Sequence, residues 1–242
     1  MNNIIKKILK LFNILRDPVF IRALLKGAAA GTEHYQVLNG LDCSHVVDIG
    51  ANRGQFALFS RKCFPNARID SFEPLSEPAN QFERVFAGDE NTYLHRLAIG
   101  ESEGEKLIHV SLRDDSSSLL PISEAQTTLF PGTGERETRT IRVAQLSSIL
   151  SGKDVQSPAL LKLDVQGYEL QALKGCEIFL HCFDYVYVEC SFVELYTGQS
   201  SADEVIAWLR EHGLILSGVY NLCYDSLGKA IQGDFMFSRR TE

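Results

Sequence analysis

Apolar and polar positions follow two different periods along this chain. Over residues 3–16 the period is helical: Ile4, Ile5, Ile8, Leu9, Phe12 and Leu15 share one face, with Lys6, Lys7, Lys10 and Asn13 opposite. Asp17-Pro18 ends that stretch, and a second apolar helix is expected over 19–29, before Gly31. From residue 45 onward, short apolar runs alternate with amphipathic segments. Strands are expected at 45–49, 68–72, 92–97, 159–163, 184–190, 213–219 and 233–238. Helices are expected at 54–64, 76–87, 144–150, 167–180 and 202–211. Residues 105–111 and 137–143 read as extra strands around a polar segment, 112–136, of the kind that forms a lid, a binding loop or a disordered stretch.

Strands alternating with helices call for a mostly parallel sheet covered on both faces. The last two strands have no room between them for a crossover helix, so they form an antiparallel hairpin. The expected architecture is α/β: a doubly wound, Rossmann-like, mostly parallel seven-stranded sheet with an antiparallel last strand, preceded by N-terminal helices. That is the layout of class I methyltransferases. The chain divides into an N-terminal helical extension, 1–40, and one α/β domain, 41–242, a length that such a fold commonly reaches.

Charge sharpens this division. The net charge is −7, which argues against nucleic-acid binding, because that needs a basic surface. The first 40 residues nevertheless carry +4 and the remaining 202 carry −11. A basic amphipathic helix at 3–16 can lie on an anionic membrane surface, and the alternative is a helix packed on the domain edge. The six cysteines, at 43, 63, 176, 182, 190 and 223, form no CxxC pair and no zinc spacing. Neither a signal peptide nor a bilayer-length apolar run is evident, so the expected location is cytoplasmic, with peripheral contact at the inner face of the membrane through 3–16.

Candidate chemistry begins at the first strand, which runs into Asp48-Ile49-Gly50-Ala51-Asn52-Arg53-Gly54. A dinucleotide fingerprint needs G-x-G-x-x-G, and here Asn52 and Gln55 break it. The S-adenosyl-L-methionine (SAM) turn is looser: an acid in the strand, then G-x-G-x-G with the middle position often substituted. Asp48, Gly50, Asn52 and Gly54 satisfy it with one substitution; a turn with no ligand is the alternative. Glu73, followed by Pro74 at the tip of the next strand, is an acid at the separation that suits ribose hydroxyls.

Two further strands end in acids. The run Leu160-Leu161-Lys162-Leu163 delivers Asp164 to its tip, where it could orient or deprotonate an acceptor hydroxyl, hold a metal, or cap the following helix. Tyr185-Val186-Tyr187-Val188 delivers Glu189, and an acid in so apolar a strand is expected to be paired or functional. Neighbouring tips would let Asp164 and Glu189 engage one polar acceptor. A metal is not expected, since no nearby His completes a ligand set. Of the six histidines, His95 and His109 fall closest to the expected site, with structural roles favoured for each.

Residues 48–54, Glu73-Pro74, Leu97-Ala98-Ile99-Gly100, residues 161–175 and the stretch from Glu189 to Glu194-Leu195-Tyr196 together resemble the FkbM family of SAM-dependent methyltransferases. The resemblance spans about residues 33–238. It implies O-methylation, typically of a sugar hydroxyl or a polyketide-derived alcohol. It also implies that Asp48, Gly50, Asn52, Gly54 and Glu73 contact the cofactor, with Leu97 and Ala98 on its adenine side. Two positions depart from the family pattern: Gln166 stands where Glu is frequent, and Gln145 where Asp is frequent. The serine run 115–120 is similar to a family loop near the active site.

The expected function is SAM-dependent O-methylation of a sugar or glycan hydroxyl, with Asp164 first and Glu189 second as base or acceptor-orienting groups. The alternatives are a polyketide-like or other small-metabolite hydroxyl, nitrogen or carboxylate as acceptor, and a non-catalytic module that keeps the fold.

Overall fold

The computed structural model describes residues 3–239, with side chains of the first helix described from Ile8 onward. The strands are β1 (His45–Ile49), β2 (Arg68–Phe72), β3 (Thr92–His95), β4 (Ala98–Ile99), β5 (Gly104–Ser111), β6 (Glu135–Ala144), β7 (Ala159–Leu163), β8 (Tyr185–Ser191), β9 (Leu214–Tyr224) and β10 (Ala230–Arg239). The helices are α1 (Asn3–Ile14), α2 (Pro18–Leu25), α3 (Tyr35–Leu38), α4 (Gln55–Cys63), α5 (Ser76–Val85), α6 (Glu124–Leu129), α7 (Glu169–Cys176) and α8 (Ala202–Glu211).

Seven strands form one sheet in the order β3-β2-β1-β7-β8-β10-β9. All pairings through β8 are parallel, whereas β10 runs antiparallel to both β8 and β9. The seven expected strands are therefore all present, and the order turns back between β1 and β7. In an open α/β sheet, ligands bind beyond the strand tips at such a reversal. A second, three-stranded sheet, β4-β6-β5, contains the two extra strands.

Three helical expectations need correction. Residues 144–150 hold only a 3-10 turn, Leu146–Ser148. Its apolar residues pack into the core, but the segment is too short to propagate before Ser151-Gly152, and helix nucleation is costly. Residues 167–168 belong to the turn after β7, and α7 ends at Cys176, continuing only as a 3-10 stretch. The second helix stops at Leu25 because Gly27 takes a left-handed φ of 88°. The expected strand 92–97 also ends early, at His95, and the next strand, β4, begins at Ala98 in the small sheet.

Alternation along the central strands sorts side chains to two faces. Val47, Ile49, Leu161, Leu163, Val186 and Val188 enter one core with α7 and α8. Val46, Leu160 and Tyr187 enter the other with α4, and there Ile14, Phe20, Ala23, Val37 and Leu38 of the first 40 residues join them. The N-terminal segment thus covers one face of the sheet. Burying Phe20, whose ring lies 6.0 Å from that of Phe59, contributes about 2 kcal/mol by area. On α1 itself, Ile14 is buried while Ile8, Leu9 and Phe12 are exposed, as is Leu15 just past its end. Ile4, Ile5, Lys6 and Lys7 lie outside the described side chains. No described helix is long and apolar enough to cross a membrane.

Candidate active site

The tips of β1, β2, β7 and β8, with β4 and the loop after β5, enclose a cavity of about 400 Å³, within the range of small-molecule sites. Gly50, Asn52, Glu73, Pro74, Ala98, Asp164 and Glu189 all line it. Asp48, Gly54 and Leu97 do not: they stand behind its wall. Gly54 (φ 85°) is required by packing, because a Cβ there would lie 2.6 Å from Phe86 and 2.8 Å from Phe82. Gly50 (φ 81°) lies so close to β7 that a Cβ would overlap the carbonyl of Asp164. Gly54 thus answers to the two phenylalanine rings, whereas Gly50 packs on β7 and also borders the cavity.

Glu73 is buried, and two backbone amides hold its carboxylate: Asn52 N donates to Oε2 at 2.9 Å, and Leu75 N to Oε1 at 2.7 Å. Burial nonetheless pushes its pKa up to about 7. Each oxygen keeps a further lone pair for a hydroxyl. Asn52, in the left-handed region at φ 47°, uses its own side chain to accept from Arg53 N.

At the floor, the carboxamide of Gln166 lies between the two candidate acids. Its Nε2 donates to Asp164 Oδ1 at 2.7 Å and to Glu189 Oε2 at 2.9 Å. Its Oε1 accepts from the hydroxyl of Tyr196 at 2.8 Å, and the N–H end faces the acids because only it can donate to their oxygens. Gln232 Nε2 donates to the other oxygen of Glu189 at 2.7 Å. Burial, with Asp164 and Asp234 nearby, raises the Glu189 pKa well above its ordinary value. The Glu169 carboxylate props the turn from beneath, accepting from Val165 N and Gly167 N; burial pushes its pKa to about 7. The serine loop after β5 closes the other side, and Ser118 Oγ donates to the Gln166 carbonyl at 2.6 Å.

Several site residues were missed by sequence reasoning. Asp48 faces Lys162 in register across β1 and β7, with Nζ 3.0 Å from Oδ1. Neither Asp48 oxygen has an aligned hydrogen bond, so this ion pair compensates its burial. Burial lowers the Lys162 pKa, but Asp48 and Asp164 outweigh it and leave the amine above its ordinary value. The signal that singled out Glu189, a charge in an apolar strand, applies equally to Lys162. His34, Tyr187 and Asp234 form a second polar group: Tyr187 Oη donates to Asp234 Oδ2 at 2.8 Å and lies 3.0 Å from His34 Nδ1. His34 lines the cavity, whereas His95 is held by Asp70 and His109 by Glu135, and neither reaches it. The expectation that His95 and His109 fall closest to the site is thereby corrected. Gln145 also stays outside, donating to the Glu101 carbonyl.

Known proteins bear directly on this geometry. Residues 48–216 match the family described as "Methyltransferase FkbM domain". The 31-O-demethyl-FK506 methyltransferase FkbM of Streptomyces tacrolimicus is 26% identical over 69% of this chain and 71% of its own length. The 2-O-methyltransferase NoeI of Sinorhizobium fredii is 28% identical over 81% of this chain and 84% of its own. Among solved structures, an rRNA methylase from Streptococcus thermophilus aligns at 11% identity with a TM-score of 0.48, covering 87% of this chain and 96% of that one. A match over most of the chain, taking in the glycine turn and the strand-tip acids, establishes that the protein belongs to the FkbM family of methyltransferases and uses S-adenosyl-L-methionine as methyl donor.

Proposed function

We propose that this enzyme methylates a hydroxyl of a sugar or glycan. The observation that carries this reading is the carboxylate pair Asp164 and Glu189, side by side on the cavity floor and held at a fixed spacing by Gln166. Two acceptor-rich groups so placed suit a ligand with several adjacent hydroxyls. The names of both relatives, a 2-O-methyltransferase and a 31-O-demethyl-FK506 methyltransferase, support transfer to oxygen.

The residues present fit the donor. Glu73 can accept from ribose hydroxyls beside Asn52 and Pro74, while Ala98, Ile99 and Leu119 offer an apolar wall for an adenine. Gly50, Asn52, Glu73, Pro74 and Ala98 act in contact, and Asp48, Gly54 and Leu97 hold those contacts from behind. When bound, SAM supplies an electrophilic methyl on a sulfonium, so the protein's task is alignment. Asp164 orients the attacking hydroxyl and Glu189 a neighbouring one. The orienting role for Asp164 is supported by the Gln166 hydrogen bond and by Lys162 Nζ at 3.9 Å, both of which temper its basicity.

We also propose that residues 1–40 are an extension placing the enzyme at the inner membrane face. Exposed Leu9, Phe12 and Leu15, beside Lys10 and Arg16, give α1 an apolar and basic outer surface, and Lys10 and Glu33 form an ion pair at the cavity rim.

The deciding experiment is methyl-sugar analysis of surface polysaccharide from cells with and without the gene, paired with labelled-methyl transfer to an acceptor panel. Loss of an O-methyl sugar supports the reading. Transfer only to nitrogen, to a carboxylate or to a polyketide-like alcohol overturns it. Asp164→Asn should keep calorimetric SAM binding and lose most turnover, and normal turnover would refute its role.

A further inference from the structure

We propose that His34, from outside the matched segment, is the base that removes the proton from the acceptor hydroxyl, held in its working tautomer by Tyr187 and Asp234. The proposal rests on the O-methylation reading above.

The ring of His34 is fixed from two sides. It meets Phe56 edge-on at 5.1 Å and Tyr187 at 5.6 Å with an interplanar angle of 90°. Its tautomer follows from hydrogen counting. Tyr187 has one hydroxyl hydrogen, and it goes to Asp234. The Tyr187 oxygen must therefore accept from His34 Nδ1, which carries the proton of the neutral ring and leaves Nε2 bare. Asn221 donates to the same Asp234 oxygen at 2.7 Å and steadies the far end. Among the described residues, Nε2 has no hydrogen-bond partner, and the side chain borders the cavity with 16% of its surface exposed.

The other basic groups of the cavity are engaged. Glu73 accepts two backbone amides, Glu189 accepts two side-chain amides, and Asp164 accepts from Gln166 near the Lys162 cation. His34 alone combines a free basic atom with a group that answers the charge it acquires: Asp234 Oδ2 lies 3.7 Å from Nδ1. Electrons and atoms balance simply. The acceptor O–H proton passes to Nε2, an oxygen lone pair forms the O–CH3 bond, and the C–S bond breaks with its electron pair left on a neutral thioether.

The groups facing His34 are Asp234 on β10, Tyr187 on β8, Lys162 on β7, Asp164 beyond it and Glu33 next in sequence. Burial lowers the imidazole pKa, opposed by Asp234 and Glu33. The ring is then neutral at neutral pH.

The test uses the whole enzyme with a sugar acceptor. His34→Asn keeps a donor for Tyr187 but has nothing at Nε2. It should melt within a few degrees of wild type, bind SAM within about twofold, and lose at least about 100-fold in turnover, the usual worth of a positioned base. With SAM kept saturating, the acidic limb of the wild-type pH–rate profile should vanish with it, and imidazole should partly rescue His34→Ala. Nitrogen-15 NMR on histidine-labelled protein, assigned by difference with His34→Asn, should show the Nδ1–H tautomer. Wild-type turnover by His34→Asn on a sugar hydroxyl, or an Nε2–H tautomer, overturns the role of His34 and leaves O-methylation standing. A wild-type enzyme that methylates only nitrogen or carboxylate overturns both.

Discussion

Asp48 and Lys162 face each other from adjacent parallel strands, 3.0 Å apart and almost wholly withdrawn from solvent. Each strand contributes one charge; Asp48 has no other counter-charge in contact, and for Lys162 the next is Asp164 at 3.9 Å. Removing one partner leaves the other stranded, which in buried pairs costs about 3–5 kcal/mol. Lys162→Met should lose stability on that scale in urea unfolding, and Lys162→Met with Asp48→Leu should recover most of it. A double-mutant cycle with no coupling would mean that the pair is not a functional unit of the fold.

The Glu73 carboxyl gives a pH signature. Its pKa in the fold is about 7 against an ordinary 4.5, so burial disfavours the ionised form. The fold is least burdened by this group below 4.5, loses stability as pH rises towards 7, and is level above it, with a total span of about 3 kcal/mol. Ribose hydroxyls donate to the ionised form, so SAM affinity should follow the opposite course. It should fall by up to about tenfold for each pH unit below 7, with proton release seen by calorimetry in buffers of different ionisation enthalpy. Glu73→Gln should bind weakly and without that slope.

Gln166 separates two acids with a neutral donor. In Gln166→Glu the two N–H donors would be replaced by a third carboxylate beside Asp164 and Glu189. Without divalent ions this variant should be destabilised by about 2 kcal/mol and take up protons on folding. Three adjacent carboxylates suit a hard cation, so added Ca²⁺ or Mn²⁺ should raise its melting temperature while leaving wild type unmoved. Equal responses from the two proteins would refute the spacer role of the amide.

The outer face of α1 makes a separate prediction. Phe12→Ser with Leu15→Ser alters exposed side chains only, so unfolding should change by less than about 0.5 kcal/mol. Flotation with vesicles rich in anionic lipid should drop several-fold, and turnover on a soluble acceptor should stay the same. Unchanged flotation would remove α1 as the contact.

Much of the frame is readable in the chain because strands buried on both faces must be apolar throughout. The runs at β1, β7 and β8 are of this kind, and their order follows from right-handed crossovers. Strand-tip acids stand out in the same way: Asp164 and Glu189 interrupt apolar runs, Glu73 follows the glycine turn by about twenty residues, and all three line the cavity. Register is harder to read. Asp48, Lys162 and Tyr187 form one row only because β1, β7 and β8 pair in that alignment, and no local pattern announces it. His34 was hidden further still. It sits in a 3-10 turn whose own sequence is unremarkable, and its importance comes from packing against Phe56 and Tyr187, far along the chain. The 3-10 turn at Leu146–Ser148 shows the converse, an apolar pattern that suggests a helix where the chain only anchors itself to the core.

The contact of Gly50 with the Asp164 carbonyl has a consequence for redesign. The turn that borders the donor side and the tip that borders the acceptor side touch through main chain, with no side chain between them to absorb a displacement. The two halves of the cavity are therefore mechanically one piece. Acceptor preference can be transplanted by exchanging the serine loop, which meets the cavity from outside. Swapping β7 and its turn as a cassette would shift the donor half with it, unless the strand carrying Gly50 travels in the same exchange.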